Sequence, residues 1–217
     1  THAGAPVAAV IDRRPSPRAV LVEFSTPDSA VTLVQAAAAV GMPAVSGTTG
    51  LDATHQARLR GAAARVPVVW APNMSLGVNV LYRLAEIAVR ALGPDFDAEI
   101  VELHHRAKRD APSGTALRLA EVVARAREEA TVVCGRHGLS EGRESTEVGV
   151  QAVRGGDIVG EHTLFLIGMG ERLEVTHRAS DRAVLARGAL RAAAFALNAP
   201  AGFYSMADVL HLGDGTL

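Results

Sequence analysis

From Ala19 to Leu92 short runs rich in valine and alanine take turns with stretches of helical periodicity. Ala19 to Phe24 (A-V-L-V-E-F) reads as a strand, and Thr26-Pro27-Asp28 opens a helix that Gly41 ends. A short strand P-A-V-S, the turn G-T-T-G and a polar-faced helix from about Asp52 to Arg65 follow. The strand V-P-V-V-W-A, the turn P-N-M-S and a longer helix from Leu76 to Leu92 complete the series. Strands separated by helices in this way imply βαβ units on a parallel sheet. The loops that leave such strands lie at the carboxyl edge of the sheet, where open α/β folds bind ligands. Gly47-Thr48-Thr49-Gly50 and Ala71-Pro72-Asn73-Met74 are two such loops, and either is equally readable as an ordinary turn.

The pattern changes after Pro94. Ala98 to His105 reads as a strand and Thr115 to about Arg127 as a helix, with a polar, glycine-rich stretch from Gly135 to Glu147 beyond. The run V-G-V-Q-A-V-R-G-G-D-I-V-G-E-H-T-L-F-L-I-G has the turn-punctuated rhythm of antiparallel strands, with Arg154-Gly155-Gly156-Asp157 at one turn. Arg172 to His177 continues the sheet, and Ser180 is placed to cap a final long helix whose apolar residues include Val184, Leu185, Ala189, Ala192 and Phe195. The expected architecture is α/β. A parallel-sheet α/β domain takes residues 1–75 plus about 185–217. An α+β domain with a mainly antiparallel sheet takes 76–184.

Composition narrows the function classes. With 22 basic and 23 acidic residues the net charge is −1, so no global field points to nucleic acid or an anionic membrane. The apolar stretches fall short of the roughly 20 residues a membrane span needs, and no signal peptide is evident at the start. A single cysteine, Cys134 in the run T-V-V-C, excludes an intrachain disulfide, favours a reducing cytoplasm and reads as an inert strand residue. No metal site is expected.

The densest chemistry lies in H-H-R-A-K-R-D-A-P-S-G-T-A, residues 104–116. Alternation along E-I-V-E-L-H-H puts Ile100, Glu102 and His104 on one strand face and Val101, Leu103 and His105 on the other. Lys108 follows on the loop, free to curl back toward His104. Ser113-Gly114-Thr115 sits at a helix start, where unpaired backbone N–H groups and the positive dipole end hold a carboxylate or phosphate. Histidine moves protons near neutral pH and lysine supplies a fixed charge. These residues suit an anionic substrate undergoing proton transfer. They also suit a solvated charged loop capped by a serine, and composition leaves both readings open.

The stretch from Glu99 to Ala116 resembles the signature of the dihydrodipicolinate reductases, with Glu99, Glu102, His104, Lys108, Asp110, Pro112, Ser113, Gly114 and Thr115 at the family spacings. G-T-T-G, N-x-S-x-G-V-N at 73–79, V-R-G-G-D-I-V-G-E-H-T at 153–163, G-E-R-L-E-V-T-H-R-A-S at 170–180 and G-x-Y-S-M-x-D-V-L at 202–210 follow in family order. The resemblance implies NADH- or NADPH-dependent reduction of 4-hydroxy-tetrahydrodipicolinate to tetrahydrodipicolinate, in lysine and diaminopimelate biosynthesis, by a cytoplasmic homotetramer. It makes residues 1–75 plus about 185–217 a Rossmann-like parallel-sheet dinucleotide-binding domain, and 76–184 the substrate-binding and oligomerisation domain. It assigns His104 as the catalytic acid, Lys108 as the residue that holds and polarises a dicarboxylate substrate, and His105, Gly114, Thr115 and Arg182 as substrate contacts. A break in the strand at His104 would reconcile the His105 assignment with alternation.

By the same resemblance Gly47, Thr48, Thr49, Ala71, Pro72, Asn73 and Met74 line the cofactor, Met74 standing where the family usually has phenylalanine. Asp12 is placed to accept ribose hydroxyls, and Arg13 beside it to receive a 2′-phosphate. A related imine or aldehyde reductase and a non-catalytic dicarboxylate-binding homologue are the alternative readings. A dinucleotide site also needs a first turn of the type G-x-x-G-x-x-G, and the sequence holds none. The link R-R-P-S-P-R is also shorter than the family's. The expectation is that the first strand and its glycine loop, and further chain between Ser16 and Pro17, lie outside this stretch, since a sheet lacking its first strand exposes an edge. A natively short chain that binds its cofactor poorly is the other explanation.

Overall fold

The structure, a computed structural model, describes residues 19–127, 130–139 and 142–213. In chain order its elements begin with β1 (Leu21–Glu23), α1 (Pro27–Ala39), β2 (Ala44–Ser46), α2 (Ala53–Ala63), β3 (Pro67–Trp70) and α3 (Leu76–Leu92). Then come β4 (Asp97–His104), α4 (Gly114–Ala126), β5 (Thr131–Cys134), β6 (Glu147–Arg154), β7 (Gly160–Ile167) and β8 (Arg172–Ala179). The chain ends with α5 (Ala183–Ala196), β9 (Gly202–Tyr204) and α6 (Met206–Val209). Two compact units divide it, one taking the chain up to Leu76 and again from Ala183, the other Gly77–Arg182.

The first unit is a parallel sheet in the order β1-β2-β3-β9. Its inner strands β2 and β3 are buried on both faces, and the alternation decides which helices cover each. Ala44 and Val68 pack with Val31, Val34, Leu59 and Ala62 of α1 and α2. Val45 and Val69 point the other way, against Ala189, Ala192, Met206 and Val209 of α5 and α6. Each fully buried valine or leucine contributes roughly 1.5–3 kcal/mol. Helix α1 starts where Thr26 is extended and Pro27 supplies a pre-set φ, and the chain leaves it through Gly41 at φ 72°. Asp52 caps α2 by accepting the His55 N–H. Helix α5 begins at Ala183, so Ser180 is not its cap as the sequence suggested. Gly188 lets α5 approach the loop after β3, since a Cβ there would stand 1.7 Å from the Met74 carbonyl oxygen.

The second unit is a mixed five-stranded sheet in the order β5-β6-β4-β7-β8. The pairs β5–β6 and β4–β6 are parallel, and β4–β7 and β7–β8 are antiparallel. Helices α3 and α4 cover one face, packing Leu81, Ala85, Val89, Leu119 and Val123 on Ile100, Val148, Val150, Leu164 and Leu166. The turn at residues 155–159 joins β6 and β7, yet these two are not a hairpin: they flank β4 on opposite sides. The connection therefore crosses the carboxyl end of β4.

Candidate active site

That crossing defines the end of β4. The Gly155 N–H donates to the His104 carbonyl at 3.0 Å and the Arg106 N–H to the Gly156 carbonyl at 3.2 Å. Strand pairing stops there, and His105 falls in the turn that follows, its carbonyl accepting from the Lys108 N–H. The register holds up to that point: Ile100, Glu102 and His104 share the buried face. Gly160 on β7 makes room for the imidazole, because a Cβ there would lie 3.0 Å from His104 Nε2.

Glu102 is fully buried and carries the site's electrostatics. Arg154 grips it in a fork, donating to Oε2 at 2.8 Å and to Oε1 at 2.7 Å. The Ser113 N–H donates to Oε1 at 3.0 Å, and His104 Nδ1 lies 2.5 Å from Oε2. Burial alone would push this carboxyl up; Arg154, His104 and the Ser113 amide outweigh it and hold it below the usual carboxylate range. An ionised carboxylate only accepts, so Nδ1 of His104 bears the proton and Nε2 is left for chemistry. Burial lowers the His104 pKa; Glu102 opposes that, and the charges of Lys108 and Arg154 reinforce it.

Ser113 caps α4, its Oγ accepting the Ala116 N–H at 3.2 Å. Gly114 is exposed at the first helical position, where a Cβ would meet nothing within 4 Å, and Thr115 follows half-buried. Their amides belong to the first turn, whose N–H groups suit an anion. The Lys108 ammonium pairs with Asp110 at 2.8 Å rather than folding onto His104, and it depresses the Asp110 carboxyl. Arg182 is exposed, just ahead of α5, and among the described residues no hydrogen bond or ion pair joins it to this group. Spacing alone gave no role to Arg154 and His162, or to the buried face of Glu102. The alternation that put Glu102 beside His104 was the available signal for the last.

The other candidate residues lie in the first unit. Strands β1, β2 and β3 run parallel, so Phe24–Thr26, Gly47–Leu51 and Ala71–Ser75 leave one edge of the sheet. The Thr48 side chain is buried: its hydroxyl donates to Glu23 Oε2 at 2.8 Å and accepts the Ser25 N–H at 2.8 Å. The Trp70 indole N–H holds the Thr48 carbonyl at 3.1 Å. Thr49 and Pro72 are exposed, while Asn73 Oδ1 accepts the Ser75 N–H at 2.9 Å. Ala71 and Met74 are core residues, and only their backbone reaches the edge. Met74 therefore supplies no substitute for an aromatic contact.

Phe24, 53% exposed, puts an open aromatic ring at this edge, and the ring fills the space a Cβ on Gly47 would need. Glu23 Oε1 and Ser46 Oγ are buried there without a hydrogen-bond partner among the described residues. Both atoms are closed off from solvent, so what this edge offers a planar ligand such as nicotinamide is the exposed Phe24 ring and the backbone of the loops. Glu23 and Phe24 were missed by the sequence reading, although they leave β1 through the same kind of strand-to-helix turn as G-T-T-G. Asp12 and Arg13 lie outside the described residues. Among the described residues no group of three or more His, Cys, Asp and Glu is arranged to hold a metal ion, and no helix is long and apolar enough to cross a membrane.

Two family models match the chain: "Dihydrodipicolinate reductase, N-terminus" over residues 2–74 and "Dihydrodipicolinate reductase, C-terminus" over 77–210. The 4-hydroxy-tetrahydrodipicolinate reductase of Thiobacillus denitrificans is 53% identical over 196 residues, 89% of this chain and 73% of that protein. That of Anaeromyxobacter dehalogenans is 50% identical over 199 residues, 90% of this chain and 74% of that protein. A solved structure of dipicolinate-bound dihydrodipicolinate reductase from Paenisporosarcina sp. TG-14 shares the fold with a TM-score of 0.71 at 22% identity, covering 86% of this chain and 71% of that one.

Proposed function

The chain belongs to the dihydrodipicolinate reductase family, and from that membership we propose that it reduces 4-hydroxy-tetrahydrodipicolinate to tetrahydrodipicolinate in lysine and diaminopimelate biosynthesis, using NADH or NADPH. The observation that carries the reading is a histidine held in one tautomer by a buried, arginine-clamped glutamate, beside a helix start built for an anion.

The second unit is the substrate side of this proposal. One substrate carboxylate lies on the amides of Gly114 and Thr115, and Lys108, released from or shared with Asp110, draws the second negative group. His105 and Arg182 complete the substrate contacts. Glu102 holds His104 Nδ1, so Nε2 faces the ring and supplies the one proton that, with the cofactor's hydride, balances reduction of the ring and departure of its hydroxyl as water. A dianion beside His104 offsets the nearby cations and favours the imidazolium, which arms the acid as substrate binds.

The first unit is the cofactor side. Gly47, Thr48 and Thr49 with Ala71 to Met74 offer backbone at the sheet edge, Phe24 a ring face, and Asp12 and Arg13 the ribose and 2′-phosphate contacts. The nicotinamide, when bound, supplies the hydride. With an acid and a base adjacent, both cofactors are expected to serve. Assembly as a homotetramer in the cytoplasm belongs to the same reading. It is supported by the face of the five-stranded sheet opposite α3 and α4, where Val153 and Ile167 are 44% and 39% exposed.

The test forms the substrate in situ from pyruvate and aspartate semialdehyde and follows loss of NADH and NADPH separately. Consumption of both is expected. No turnover with either contradicts the reaction, and strict preference for one contradicts the joint role of Asp12 and Arg13.

A further inference from the structure

His162 lies on β7, directly opposite Glu102 on β4 and His177 on β8. It is 3% exposed, and its ring packs edge-on against that of His104 at 5.2 Å between centroids. Its Nε2 sits 3.1 Å from the Ser113 hydroxyl. Ser113 joins the two halves of the site, since its N–H holds Glu102 and its Oγ caps α4 at Ala116. We propose that His162 is a positioning residue: Nε2 accepts the Ser113 hydroxyl proton and so fixes the serine that ties the Glu102–His104 pair to the carboxylate-binding start of α4. This rests on the proposal that a substrate carboxylate lies on that helix start.

A serine hydroxyl has one proton and two lone pairs. The Ala116 N–H occupies one lone pair, and the distance between Ser113 Oγ and His162 Nε2 fits a hydrogen bond in either direction. On this proposal the serine proton goes to Nε2 and the ring is the neutral Nδ1–H tautomer, its Nδ1 buried without a hydrogen-bond partner among the described residues. Burial, with the charges of His104, His177 and Lys108 against the opposing Glu102, pushes its pKa down to about 4. His162 is thus no second acid beside His104. It is a fixed acceptor whose neutrality keeps another cation away from Lys108 and Arg154. A leucine there strands the Ser113 proton, and the hydroxyl is free to turn off the helix cap.

Imidazole nitrogen-15 spectra of the intact wild-type chain read the tautomer directly. Between about pH 5 and pH 8 the expectation is a non-titrating ring protonated at Nδ1. An Nε2–H tautomer, or titration in that interval, overturns the proposal. Calorimetric binding of pyridine-2,6-dicarboxylate supplies the functional readout. His162→Leu should weaken binding about tenfold, the size of one lost buried hydrogen bond. His162→Gln, whose amide oxygen can accept from Ser113, should restore most of it. The double variant Ser113→Ala/His162→Leu should bind no worse than Ser113→Ala alone. Wild-type binding by His162→Leu, additive losses in the double variant, or no dicarboxylate binding by the wild type contradicts the proposal. Absent turnover in the presence of binding contradicts the reductase reaction alone.

Discussion

At the carboxyl edge of the parallel sheet, the Thr48 hydroxyl bridges the Glu23 carboxylate and the Ser25 N–H, and the Trp70 indole holds a carbonyl. At the end of β4, the Arg154 guanidinium, the His104 imidazole and the Ser113 N–H converge from three stretches of chain on one buried carboxylate. The first arrangement holds its carboxylate through hydroxyls and a backbone N–H. The second keeps a carboxylate ionised where burial opposes it, in order to orient a neighbouring imidazole. The difference matches the two tasks proposed, holding a cofactor by shape and handling a dianion through proton transfer.

If charge is what the second site is built on, removing its clamp should be the most damaging single change. Arg154→Met leaves Glu102 buried without its fork and should cost about 3–5 kcal/mol in urea unfolding. A cost below that of Thr48→Val would erase the contrast. Acid should come next. Because the folded-state pKa of His162 lies near 4 and the unfolded one near 6.5, the unfolded chain binds the extra proton between them. Stability is then complete above about pH 6.5 and falls as pH drops toward 4, by about 3 kcal/mol in all. Glu102, also depressed, adds a loss of the same sign at lower pH. His104 and His177, also depressed by burial, add losses of the same sign, so His162→Gln should make the acid slope shallower, and an unchanged slope would show that His162 carries none of it.

Thr48→Val removes a hydroxyl that serves both Glu23 and Ser25 and should cost about 1–3 kcal/mol. Its KM for the dicarboxylate should stay at the wild-type value. The smallest effect on folding is expected at Gly114, where a Cβ meets open space. Gly114→Ala should change stability by less than about 1 kcal/mol while raising KM for the dicarboxylate. A raised KM for NADH instead would place the ligand wrongly.

Much of this was legible in local sequence. The spacing of apolar runs located α1, α2, α3 and the first strands, and alternation alone separated His104 from His105. What escaped was nonlocal. The rhythm of residues 148–167 suggests a hairpin, because short turns usually join neighbouring strands; here β4 is inserted between them. Arg154 therefore meets Glu102 across 52 positions, and His162 meets Ser113 across 49. Neither partner has a local signature. Lys108 seemed free to reach His104, but Asp110, two residues on, gave its ammonium a nearer counter-charge.

The central claim is that His104 Nε2 gives the proton in reduction of a dicarboxylate ring. It is tested most directly by comparing the wild type with His104→Gln in the coupled assay, at saturating cofactor and with unfolding measured on both. The account predicts NADH and NADPH consumption by the wild type and a loss of about a hundredfold or more in kcat for the variant, with stability changed little. Undiminished turnover by His104→Gln would contradict it.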